Sequence, residues 1–97
     1  MNDQIPSALR LKIITPRRLL ADVEAESVSI PSLEGYIGVL PGHRPLVVGI
    51  GKGRISFRAG GREESFAIKG GFARVEPEEV LVMTEEAEDE DAGDKPA

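Results

Sequence analysis

Few side chains in this sequence could do chemistry. Among its 97 residues there is one histidine, His43, and no cysteine or tryptophan. A Ser-His-Asp triad could be drawn from Ser27, Ser29 or Ser32 with His43 and Asp22. The nucleophile of such a triad rides on a strained strand-to-helix elbow, and none is encoded; the serines alternate as solvent-face strand residues do. Glu63 and Glu64 are adjacent on a predicted strand, so they point to opposite faces and cannot serve as an acid/base pair. Glu78 and Glu79 fall on a turn. Without cysteine there is no disulfide, thiolate zinc site or thiol nucleophile. A metal site would rest on carboxylates, which suit calcium or magnesium better than zinc.

The glycines of Gly49, Gly51 and Gly53 around Lys52 suggest a phosphate loop, and the spacing rejects it. A G-x-x-x-x-G-K-[ST] loop needs glycine at position 46, where Leu46 stands, and a hydroxyl at 53, where Gly53 stands. A G-x-G-x-x-G fingerprint meets Arg54 in place of its third glycine, and no helix follows to offer N–H groups to a phosphate. These glycines read as a turn. The sequence encodes no catalytic site, no cofactor is expected, and function must come from surfaces.

The elements that would position such surfaces are strands. Leu9, Leu11 and Ile13 alternate with Arg10 and Lys12, the period-two pattern of a half-buried strand. Thr15-Pro16 ends it in a turn carrying Arg17 and Arg18, which reads either as a solvated loop or as a partner-facing basic edge. After a short strand from Leu19, the apolar parity shifts between Ala25 and Val28, implying a bulge or two separate strands. Residues 46–50 and 80–83 are nearly continuous apolar runs, the pattern of strands buried on both faces. Between them, Gly60-Gly61 predicts a tight hairpin turn and Gly70-Gly71 a break between two strands. The expectation is an all-β fold, an antiparallel β-sandwich of about ten short strands over residues 9–86, with residues 1–8 as an extension.

Residues 33–46 organise this pattern. Gly35, Gly38 and Gly42 mark turns or close approaches, while Pro41 and Pro45 make residues 40–45 a stiff, non-helical corner with His43 at its apex.

Charge divides the chain. Residues 85–97 hold seven acids against Lys95, whereas residues 1–84 carry eleven basic and ten acidic side chains, a net of +1. A neutral body with one tyrosine offers nucleic acid neither a basic field nor a stacking platform. Residues 87–97 read as an acidic, disordered tail. The N-terminus has no signal-peptide pattern, and no segment approaches the roughly 20 apolar residues of a membrane span, so a soluble cytosolic chain without membrane insertion is expected.

The run E-G-Y-I-G-V-L-P-G-H-R-P-L at residues 34–46, with K-G-G-F-A-R-V-E-P-E-E-V-L-V-M-T at residues 69–84, closely resembles the epsilon subunit of bacterial and chloroplast F-type ATP synthases. The mitochondrial counterpart is called delta. The likeness spans about residues 9–86. It implies a ten-stranded β-sandwich at the foot of the rotor stalk, binding the gamma subunit on one side and the polar loops of the c-ring on the other. Such a subunit joins gamma to the c-ring, couples proton or sodium flow to ATP synthesis or hydrolysis, and leaves catalysis to the alpha/beta hexamer. The implied location is peripheral, on the cytoplasmic face of the membrane.

The resemblance further implies that Ser32, Leu33, Glu34 and Tyr36 face the c-ring. Thr15, Arg17, Arg18 and Leu20, with Pro41, Gly42, His43, Arg44 and Leu46, would face gamma or the adjoining c-ring surface, or form a structural corner. His43 either donates a hydrogen bond across that interface or ties the corner to its own sandwich. Family members usually continue into an α-helical hairpin that inhibits ATP hydrolysis and, in some, binds nucleotide. The acidic tail here departs from that pattern, so neither role is expected. The alternative is a free-standing β-sandwich module for a peptide or carbohydrate, for which Tyr36, Phe57, Phe66 and Phe72 are a thin aromatic supply.

Overall fold

Period-two alternation is what the backbone follows. In a computed structural model, whose described residues are 6–87, the strands are β1 (Leu9–Ile14), β2 (Leu19–Ala25), β3 (Ser27–Ser32), β4 (Gly35–Val39), β5 (Leu46–Gly49), β6 (Lys52–Ala59), β7 (Arg62–Val75) and β8 (Glu79–Glu86). They hydrogen-bond in the order β2-β1-β8-β7-β6-β3-β4, with β5 on β7. Of the expected disordered tail, residues 87–97, only Ala87 is among the described residues, and its N–H donates to the Ala67 carbonyl at 2.9 Å; the rest lies outside them.

The chain makes two layers because two places let it cross between them. At Glu26 the parity shift resolves into two strands: β2 pairs with β1, whereas β3 pairs with β4 and β6. The second crossing is Gly70-Gly71, with φ of 72° and 95° and a register shift between Lys69 and Phe72. A break into two strands was expected there. Instead β7 runs on through a glycine bulge, its first half pairing with β6 and its second with β5, while β8 pairs with it on both sides of the bulge. Glycine is required, because a Cβ on Gly71 would overlap the Met83 carbonyl oxygen.

Between the layers lies the core, with Leu9, Leu11, Ile13, Val28, Ile30, Ile55, Ile68, Val80 and Val82 wholly or almost wholly buried. Phe57 and half-buried Phe66 stack at 6.3 Å. The hairpin at Gly60-Gly61 forms as expected, both glycines at positive φ. One pairing departs from the antiparallel pattern, since β1 and β8 are parallel.

Two readings of apolar runs are corrected. Residues 46–50 do not form a central strand buried on both faces; β5 pairs with β7 alone, Val47 is 64% exposed, and only Ile50 is fully buried. Nor is the 80–83 run doubly buried, because Val80 and Val82 face the core while Met83 is 41% exposed.

Candidate docking surfaces

Register decides which of the expected site residues meet. Strands β1 and β8 run parallel, Arg10 opposite Glu79 and Ile14 opposite Met83, so the β1–β2 turn lies beside the exit of β8. The β3–β4 turn lies at that same end, stitched to β5 and β6 by Leu33 N–H to the Gly49 carbonyl (3.0 Å) and Gly51 N–H to the Pro31 carbonyl (2.8 Å). The 40–45 corner is at the other end, where Gly42 N–H donates to the Pro77 carbonyl at 2.8 Å. Eight residues of β8 at about 3.3 Å each separate the ends by roughly 25 Å. Thr15, Arg17, Arg18 and Leu20 are thus brought to Ser32–Tyr36 and parted from Pro41, Gly42, His43 and Arg44.

The β3–β4 hairpin is fixed from within and latched from outside. Ser32 Oγ donates to the Gly35 carbonyl at 2.5 Å and accepts from Glu34 N–H at 3.1 Å. Gly35, at φ 121°, closes the turn and leaves Glu34 exposed at its tip. Leu33 lies over Gly49, where a Cβ would come within 2.7 Å of its Cδ1. Tyr36 lies over Gly53 and its Oη accepts from Arg54 N–H at 3.1 Å. The glycines that mimic a phosphate loop are therefore seats for two side chains of the neighbouring hairpin.

At the β1–β2 turn, Thr15 is buried and its Oγ1 accepts from Arg17 N–H and Arg18 N–H at 3.1 and 3.0 Å. Arg18 pairs with Glu86 at 2.7 Å. The hydrogen bond from Arg18 holds the Glu86 carboxyl below its ordinary pKa, against a smaller opposing effect of desolvation. Leu20 packs against the core at a β-bulge, which turns Leu19 outward to 53% exposure. In the far corner His43 is half-buried and its Nδ1–H donates to the Arg44 carbonyl at 2.7 Å. Leu46, 38% exposed, pairs with Val75.

A surface that the sequence reading missed crosses the outer face of the β2-β1-β8-β7-β5 layer. Side chains of paired residues share a face. Phe72 pairs with Met83, Met83 with Ile14, and Ile14 with Leu19. Phe72 and Met83 are 44% and 41% exposed, and the row continues onto Leu33 through Gly49, the partner of Phe72. Val47, Arg74 and Leu81 form the next row. The signal was present: Phe72 shares the parity of Arg74 and Glu76, opposite that of Ala73 and Val75. Against this face, Gly70, Gly71, Met83 and Ile14 border a mostly apolar recess of about 610 Å³. Among the described residues no cluster of three His, Cys, Asp or Glu side chains could hold a metal. No helix among them is long and apolar enough to cross a membrane.

A family model described as the β-sandwich domain of the ATP synthase delta/epsilon chain matches residues 8–90. The chain is 41% identical over 83 residues to the ATP synthase epsilon chain of Moorella thermoacetica, covering 84% of this chain and 62% of that one. It is 40% identical over 89 residues to the epsilon chain of a Synechococcus strain, covering 92% and 65%. It therefore spans under two thirds of the length of these curated relatives. Among solved structures, a chain of the Euglena gracilis mitochondrial ATP synthase, determined as OSCP/F1/c-ring, superposes with a TM-score of 0.78 at 26% identity, covering 87% of this chain and 54% of that one. A chain of the Tetrahymena thermophila mitochondrial ATP synthase central stalk and c-ring reaches 0.69 at 13% identity, covering 86% and 67%, a likeness of fold.

Proposed function

The chain belongs to the family of the ATP synthase delta/epsilon chain β-sandwich domain, and from that membership we propose that it serves as a non-catalytic rotor subunit of an F-type ATP synthase. It joins gamma to the c-ring and couples proton or sodium flow to ATP synthesis or hydrolysis in the alpha/beta hexamer. It sits peripherally at the membrane, as part of the complex. The observation that carries the reading is the apolar row of exposed Phe72, Met83 and Leu19 with half-buried Ile14 between them, on a body held stiff by its core and latched hairpin. A face of this kind is a docking surface rather than a solvated one.

Gamma takes this outer face. The polar end beside it, with Glu34 at the hairpin tip and Arg17 on the β1–β2 turn, meets the polar loops of the c-ring. The 40–45 corner serves its own sandwich, holding the turn before β8 through Gly42 and Pro77. The test is reconstitution: mixed with its cognate gamma at micromolar concentration, the chain should co-elute as a one-to-one complex. Separate elution of the two folded proteins would sink the rotor reading.

A further inference from the structure

The strand order ends on two edges, and only one of them is guarded. Strand β2, at one end, carries Asp22 and Glu24. Strand β4, at the other, has no charge and no proline between Glu34 and Pro41. Which of its backbone groups are open follows from Pro31, the register partner of Tyr36. Pro31 has no N–H, and its carbonyl accepts from Gly51 N–H at 2.8 Å, on the side away from β4. Tyr36 therefore makes no ladder bond to β3. By the alternation of an antiparallel pair, its N–H and C=O point off the edge of the sheet, as do those of Gly38. Among the described residues no strand pairs with that edge. Tyr36 and Leu40 are each 62% exposed on either side of Gly38. A Cβ on Gly38 would meet nothing within 4 Å and its φ is not left-handed, so the fold of the single chain does not require glycine there. A flat edge with open N–H and C=O groups is a template for another strand.

We propose that β4 pairs with β4 of a second copy of this chain, antiparallel about a two-fold axis at Gly38. Such a contact is isologous, so the strand must complement itself. Setting Gly38 opposite Gly38 places Tyr36 opposite Leu40 of the other copy, twice, and apolar side chains directly opposed across strands stabilise a sheet. The open N–H and C=O groups of Tyr36 and Gly38 find their partners in the same register. The charges beyond the strand agree with it. Glu34 of one copy comes to the corner of the other that carries Arg44, and neither residue forms an ion pair among the described residues. A strand from another protein could supply the backbone bonds, whereas a second copy supplies these opposed charges as well. One short strand buries little area, so the association is weak and follows concentration. The pairing does not depend on the rotor reading; under that reading it withholds from the c-ring the strand that leads out of the Glu34 tip.

Sedimentation equilibrium of the full chain tests the pairing. Between about 0.01 and 1 mM the weight-average mass should rise toward about twice that of the monomer. Gly38→Lys fits the open space at that position and sets two ammonium groups directly opposite each other, so it should hold the mass at the monomer value. Glu34→Arg and Arg44→Glu should each weaken association by about threefold, and the two together should restore it. Amide exchange in the parent chain identifies the edge. At Tyr36 and Gly38 it should slow as concentration rises, whereas at Ile37 and Val39, paired with Ile30 and Val28 of β3, it should not change. A parent chain that stays monomeric to about 1 mM, association that survives Gly38→Lys, or slowed exchange on another edge with none at Tyr36 and Gly38 would overturn the proposal.

Discussion

A methyl group placed on Gly71 would overlap the Met83 carbonyl oxygen, and the backbone there stands at φ +95°. Its neighbours are main chain, so nothing soft can give way, and left-handed strain adds to the overlap. Gly71→Ala is expected to lower the unfolding free energy by about 3 kcal/mol or more in a urea titration. Gly49 makes the contrast. A Cβ there meets only the far end of exposed Leu33, and its φ is not left-handed, so Gly49→Ala should cost less than about 1 kcal/mol. Equal costs would mean that Leu33 cannot swing aside and that the hairpin latch is as rigid as main chain. Thr84 holds the same crossing by its side chain, its buried hydroxyl donating to the Gly70 carbonyl at 2.6 Å. Thr84→Val keeps the shape and removes the donor, which should cost about 1–2 kcal/mol in the same titration.

Elements are joined here by contacts far apart in sequence, and the Arg18–Glu86 pair, which ties the β1–β2 turn to the end of β8, gives one of them a pH signature. Arg18 depresses the Glu86 pKa, so the pair's contribution is fully present above the carboxylate pKa of the unfolded chain. It is lost as pH falls through the lower folded value. The Arg18 pKa is raised, so its own contribution fades only in strong alkali. The melting temperature of Glu86→Gln should therefore lie below the parent at about pH 7 and converge on it at about pH 3. A gap that persists in acid would assign the loss to packing. Much of the element plan was legible beforehand, because β1 and the β6–β7 hairpin carry clean alternation and a Gly-Gly turn. The runs at β5 and β8 were misread for a physical reason. Val47 and Met83 stand apolar on an outer face, and one sequence cannot distinguish apolar residues kept for a partner from those kept for a core. The parallel pairing of β1 with β8 joins the two ends of the fold and leaves no local trace. The site suffered likewise, since Thr15 and His43 fall in one motif-based group yet lie at opposite ends.

At the scale of the whole molecule, these two ends and the apolar face between them should separate genetically. Met83 faces outward, so Met83→Asp should leave the fold intact by circular dichroism. It would place a charge at the centre of the row formed with Phe72, Ile14 and Leu19. Central, desolvated interface positions carry a disproportionate share of binding energy, so gamma affinity should fall by about 30-fold or more. Glu34 lies at the hairpin tip, off that face, and Glu34→Lys should change gamma affinity by less than about twofold, as rim charges do. If the tip docks on the c-ring as proposed, its effect should appear as altered ATP-driven ion pumping in the reconstituted complex. His43 turns inward to the Arg44 carbonyl in the far corner, so His43→Ala should spare both readouts. Gamma titrations of the three variants, paired with pumping assays, decide the matter. If His43→Ala weakens gamma binding while Met83→Asp does not, gamma docks on the 40–45 corner. The apolar face must then be given to another partner, and the division of labour argued from register is reversed.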